Sequence, residues 1–201
     1  MEAYESFVAV ALAEEGFVVS EAAKFPVELK TRKAAYDEYQ THGFEVDLVA
    51  ARSDRLVLAT VKSFFGSRGV VSEHVIGTTT DDAARKRYAL LNDPIVRSTV
   101  IKAAAQRFGY RLSQVELRLY VGRFAGPIQG HHEKVIRQWC RNQRVGRGSI
   151  RVFDVNAVLE QVRHAANSRQ YRDNAVLVTM KVLESAGVLS LKLPDDIGAG
   201  E

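Results

Sequence analysis

The strongest constraint on the fold is a pair of neighbouring strand-like segments joined by a two-residue polar turn. Gly43-Phe44-Glu45-Val46-Asp47-Leu48-Val49-Ala50 alternates in the manner of a strand, with Phe44, Val46 and Leu48 set against Glu45, Asp47 and Val49. Ser53-Asp54 supplies turn residues, and Leu56 to Lys62 is a second run rich in Val and Leu. The two runs predict an antiparallel hairpin. Residues two apart in a strand share a face, so Glu45 and Asp47 are expected to project together, and so are Thr60 and Lys62. Charges at sheet ends are costly to bury without partners. A hard cation between them would remove that cost, because Mg²⁺ or Mn²⁺ takes oxygen ligands and retains several waters. A lysine beside such a cation can orient the attacking water and offset phosphate charge.

The remaining pattern predicts a mixed α/β chain. Residues 2–15 read as an amphipathic helix with Tyr4, Phe7, Val8, Ala11 and Leu12 on one face and Gly16 at its end. Phe17 to Val19 and Phe25-Pro26-Val27 read as extended, and residues 30–41 as a polar loop or short helix. Asp81-Asp82 starts a helix through Arg85, Tyr88 and Leu91 that stops before Pro94. A helix from Ile95 to Phe108, a strand from Val115 to Val121 and a helix from His132 to Asn142 follow. A short strand, Ile150 to Phe153, leads to a helix capped by Asp154 that runs to about Ala166. The last expected elements are a helix capped by Asp173, ending at Ala186, and a short strand from Val188 to Leu193. The boundary is set near Ser168, giving a main domain over 1–167 and a small helical appendage over 168–201.

Among 201 residues there is one cysteine, Cys140, which excludes an intrachain disulfide and points to a reducing, cytoplasmic setting. The acidic start, Met1-Glu2-Ala3-Tyr4-Glu5, does not read as a signal peptide, and the apolar stretch from Phe7 stops at Glu14-Glu15, too short for a membrane span. No CxxC, HExxH or GxxxxGK[ST] pattern occurs, which argues against common zinc sites and a P-loop. His131-His132-Glu133 reads as a polar helix start, since adjacent helical histidines diverge by about 100°. The formal net charge is +4. Its distribution is more telling: Lys134, Arg137, Arg141, Arg144, Arg147 and Arg151 fall in one stretch without an acid, a composition suited to phosphate contacts. A solvated surface is the alternative.

The segment around Asp47 and Lys62 resembles the motif of PD-(D/E)XK, or restriction-endonuclease-like, nucleases, particularly the Holliday-junction-resolvase-like and Mrr-like branches. In that family an Asp ends one strand and an acidic-x-Lys triplet lies on the next. Asp47 matches the first acid and Lys62 the lysine, fifteen residues on. Glu5, on the first helix, matches a glutamate that the family often adds. The resemblance covers roughly residues 1–125. It implies a mixed sheet flanked by helices, Mg²⁺ or Mn²⁺ held by Asp47, Glu45 or Glu5 and the Val61 carbonyl, and hydrolysis of DNA phosphodiesters assisted by Lys62. It also implies contexts of defence, repair or mobile elements, and a homodimer as one way to cut two strands. Thr60 departs from the pattern, because a threonine stands where the family has an acid. Either Glu45 or Glu5 supplies the missing charge, or the site is silent and the fold is retained to bind nucleic acid or a protein partner. Any version of the assignment requires Asp47 and Lys62 to meet within a few ångströms.

Overall fold

The computed structural model describes residues 2–30, 39–126, 130–168 and 173–190. Helix α1 (Ala3–Glu14) leads into β1 (Val18–Lys30), β2 (Tyr39–Arg52) and β3 (Arg55–Lys62). Four helices follow: α2 (Ser72–Ile76), α3 (Asp82–Arg87), α4 (Ala89–Asn92) and α5 (Pro94–Phe108). Strand β4 (Val115–Val121), helix α6 (His131–Asn142), a small hairpin of β5 (Arg144–Val145) and β6 (Gly148–Ser149), and strand β7 (Arg151–Asp154) come next, and α7 (Val155–Asn167) and α8 (Ala175–Ser185) complete the described chain.

The main sheet has the order β1-β2-β3-β4-β7. The β1–β2 and β2–β3 pairs are antiparallel, and β3–β4 and β4–β7 are parallel. This is the mixed α/β sheet flanked by helices that the sequence predicts. Alternation along β3 and β4 divides the core into two layers. Leu56, Leu58, Leu117 and Leu119 pack with α4, α5 and α6 on one face. Val57, Ala59, Val61 and Tyr120 pack with α1, α7 and α8 on the other. Val176, Leu177 and Met180 of α8 join that second layer, so the expected appendage shares the core of the main unit.

Several boundaries differ from expectation. Strand β2 starts at Tyr39, so residues 39–41 are strand, and 31–38 lie outside the described residues. The helix expected across 81–91 is divided at Tyr88, whose φ of −115° and ψ of 19° are non-helical. Asp81 caps its first half, accepting from Ala83 and Ala84 N–H. Asn174, not Asp173, caps α8. Val188 to Ser190 are not strand, and the rest of that expected strand, 191–193, lies outside the described residues. Among the described residues no helix is long and apolar enough to cross a membrane.

One buried interaction had no sequence signal. The Arg118 side chain is fully buried beneath α1. Its guanidinium donates to both Glu15 oxygens at 2.7 and 3.0 Å, to Glu116 Oε1 at 2.7 Å and to the Tyr120 hydroxyl at 3.1 Å. Arg151 reaches the same Glu116 oxygen at 3.1 Å. Burial opposes ionisation of Glu116, but Arg118 and Arg151 outweigh it and hold the carboxyl below its ordinary range. The cluster fastens the C-terminal end of α1 to β4. Removing one partner from such a set leaves an uncompensated buried charge. Arg118→Ala should therefore cost about 3–5 kcal/mol of unfolding free energy in urea titrations. A loss below about 1 kcal/mol would contradict the role given to this cluster.

Candidate functional site

The site forms where β2 leaves β3. Pairing between them runs from Arg52↔Arg55 only to Leu48↔Ala59, while β2 continues beside β1 as a two-stranded arm. At the point of departure Ala22, opposite Asp47, takes a left-handed φ of 49°. The faces also exchange there. Phe44 and Val46 belong to the first core layer, whereas Leu48 and Ala50 belong to the second. The alternation that put Glu45 and Asp47 on one face breaks at Asp47.

Beyond Ala59, β3 lacks β2 as a neighbour, and the Asp47 carboxylate takes its place. Asp47 Oδ2 accepts the Val61 N–H at 2.6 Å and the Thr60 hydroxyl at 3.1 Å. Lys62 Nζ lies 3.6 Å from the same oxygen. The Asp47 and Lys62 side chains are 23% and 14% exposed, so both are shielded but reachable. Lys62 Nζ also lies 5.9 Å from the centre of the Tyr88 ring, within cation–π reach. Burial pushes the Tyr88 phenol up to about 12, which keeps the ring neutral beneath the ammonium. The interruption of the helix at Tyr88 thus brings an aromatic face to Lys62.

The other expected ligands are elsewhere. Glu45 pairs across the arm with Lys24 at 3.7 Å, and its side chain is half-exposed. Glu5 accepts the Glu2 backbone N–H at 3.0 Å and closes the first turn of α1. That helix packs on the opposite sheet face from Tyr88. Val61 engages the cluster through its N–H. Among the described residues no three His, Cys, Asp or Glu side chains are grouped to hold a metal. The charge balance points the same way. One carboxylate beside one ammonium sums to zero before any cation enters, whereas a two-acid site would attract one. The residues present do not fit the divalent cation that the resemblance implies.

The basic stretch divides into two sets. Arg137 is committed to Glu133 at 2.7 Å, Asp154 at 2.6 Å and the Val152 carbonyl at 2.8 Å, and Arg151 to Glu116. Lys134, Arg141, Arg144 and Arg147 are exposed. Lys134 and Arg141, seven apart, lie on one stripe of α6, and Arg144 and Arg147 follow in the β5–β6 hairpin. The tight turn of that hairpin needs Gly146, with φ of 52°, because a Cβ there would meet the Val115 and Leu112 carbonyls. Arg141 also lines a shallow cavity of about 290 Å³ along β7.

His132 and Cys140 both have structural roles. His132 Nδ1 accepts the Ser72 N–H at 3.3 Å and lies 2.9 Å from the Ser72 hydroxyl, so it caps α2. Burial pushes the Cys140 thiol up to about 12, which leaves it un-ionised near neutrality and unsuited to nucleophilic attack. Trp139 packs against the first core layer. In comparisons with known proteins, no family model matches the chain and no curated protein matches it.

The cluster makes a stability prediction. Asp47→Ala leaves the Val61 N–H and Lys62 without their acceptor and should cost about 1–3 kcal/mol by urea unfolding. Asp47→Asn keeps an oxygen for the Val61 N–H and should cost less. Equal stability of Asp47→Ala and the wild type would remove Asp47 from its role in joining β2 to β3.

Proposed function

We propose that the chain is a nucleic-acid-binding domain on a nuclease-like sheet, with the Asp47–Lys62 cluster serving to hold the end of β3 and not to hydrolyse phosphodiesters. The observation that carries this reading is the exposed cationic set of Lys134, Arg141, Arg144 and Arg147 on α6 and the hairpin that follows it. Four exposed cations along one helix stripe and its adjoining hairpin suit a polyanionic backbone, which binds by releasing condensed counterions. Phosphate contacts of this kind position a partner without reading its sequence. Double-stranded DNA is the first partner to test.

The endonuclease remains the second reading, because Asp47 and Lys62 do meet at 3.6 Å in a partly open site. Hydrolysis would need a second anionic ligand from the substrate itself, since Thr60 contributes only a hydroxyl.

Fluorescence anisotropy with labelled duplex DNA, repeated across salt concentrations, tests the first reading. Binding should weaken steeply with salt. Arg141→Ala and Arg144→Ala should each lower the slope of log affinity against log salt by about 0.9. A salt slope near zero, or slopes unchanged in both variants, would overturn the proposed interface. Plasmid incubated with Mg²⁺ or Mn²⁺ should stay intact. Metal-dependent cutting lost in both Asp47→Ala and Lys62→Ala would establish the endonuclease instead.

A further inference from the structure

A cavity of about 770 Å³ opens at the carboxyl end of β3, between α1 and α7, and takes no part in the site described above. Its volume is in the range of small-molecule sites. Open α/β sheets bind their ligands at the carboxyl ends of parallel strands, which is where this cavity lies. Its apolar walls come from Phe7 of α1, Val155 and Leu159 of α7, and Phe64 and Phe65 of the loop after Lys62.

That loop is held in an uncommon shape. Phe64 has a φ of 47°, a left-handed conformation that bulky residues rarely adopt and that is found where chains clamp ligands. Phe65 is 52% exposed, yet its ring is fixed on two sides. It meets Tyr4 edge to face at 5.2 Å. It also lies over Gly122, where an added Cβ would come within 2.7 Å of the Phe65 ring. An exposed ring held in place loses little freedom on stacking, which favours a flat aromatic partner.

The polar groups narrow the partner further. The Glu2 carboxylate, held at 2.9 Å by the Ser63 hydroxyl, provides acceptor oxygen at the rim, and the Ser67 hydroxyl lies on the same loop. Arg68 and Arg123, both exposed, lie in the two loops that meet here. The combination is a stacking face, acceptors for exocyclic amino groups, and nearby cations for phosphate.

We infer that this cavity takes an unpaired nucleobase of a bound strand, stacked on Phe65, with its flanking phosphates toward Arg68 and Arg123. The inference rests on the nucleic-acid reading proposed above. A fluorescent base analogue, 2-aminopurine, reports it directly, because stacking quenches its emission. Single-stranded oligonucleotides carrying one 2-aminopurine should be quenched on binding the wild-type chain. Phe65→Ala should abolish the quench and weaken binding by roughly tenfold, in keeping with the loss of one base–aromatic stack. Phe65→Trp should restore both, which a merely misfolded loop would not allow. An oligonucleotide with an abasic site in place of the analogue should bind wild type and Phe65→Ala alike.

Oligonucleotide binding without quenching, or equal quenching in Phe65→Ala, overturns the base pocket and leaves the cationic interface standing. If no oligonucleotide binds, titration with adenosine monophosphate separates the two ideas. Phe65-dependent binding of that nucleotide keeps the pocket while the strand-binding reading fails. Absence of Phe65-dependent binding by either probe overturns the pocket.

Discussion

The structure depends on one carboxylate doing the work of a strand. At the point where β2 leaves β3, the Val61 N–H loses its ladder partner, and Asp47 Oδ2 accepts it at 2.6 Å. A buried backbone donor without an acceptor is costly, so the departure of β2 requires a substitute at this position. Thr60 and Lys62 meet the same oxygen, which ties the open end of the β2–β3 hairpin into a closed set. Three features follow from that junction. The arm of β1 and β2 exchanges faces, the carboxyl end of β3 stands free of its antiparallel neighbour, and the loop after Lys62 can turn toward α1 and α7 to wall the cavity.

Elements with a clear period were legible in the sequence. Strands β3 and β4 and helices α5, α6 and α7 fall close to where their apolar runs and periods place them, the strands packed on both faces and the helices on one. The meeting of Asp47 and Lys62 was legible too, since adjacent hairpin strands bring such residues together. What escaped was non-local. Glu45 and Asp47 share a face only if alternation persists, and it fails opposite the left-handed Ala22, a position that composition does not mark. Tyr88 interrupts a run of good helix propensity, and its buried ring lies beside Lys62, far away in sequence. Nothing local in Val115–Val121 marks Arg118 for burial, and only the approach of Glu15 and Glu116 makes it tolerable.

The two halves of the functional account come from the same principle, that charges follow their partners. Inside the basic stretch, Arg137 and Arg151 have carboxylates within reach and stabilise the junction of α6 with β7 and β4. The cations left facing solvent lie on α6 and the hairpin that follows it. At Asp47 the reverse holds. The Lys62 ammonium already lies 3.6 Å from the carboxylate, and Thr60 adds a dipole without a charge.

Isothermal titration of Mn²⁺ into the wild-type chain and Asp47→Asn tests that claim most directly. The account predicts no saturable binding that depends on Asp47. A stoichiometric heat signal in the wild type that disappears in Asp47→Asn would contradict it and return Asp47 to the role of a metal ligand.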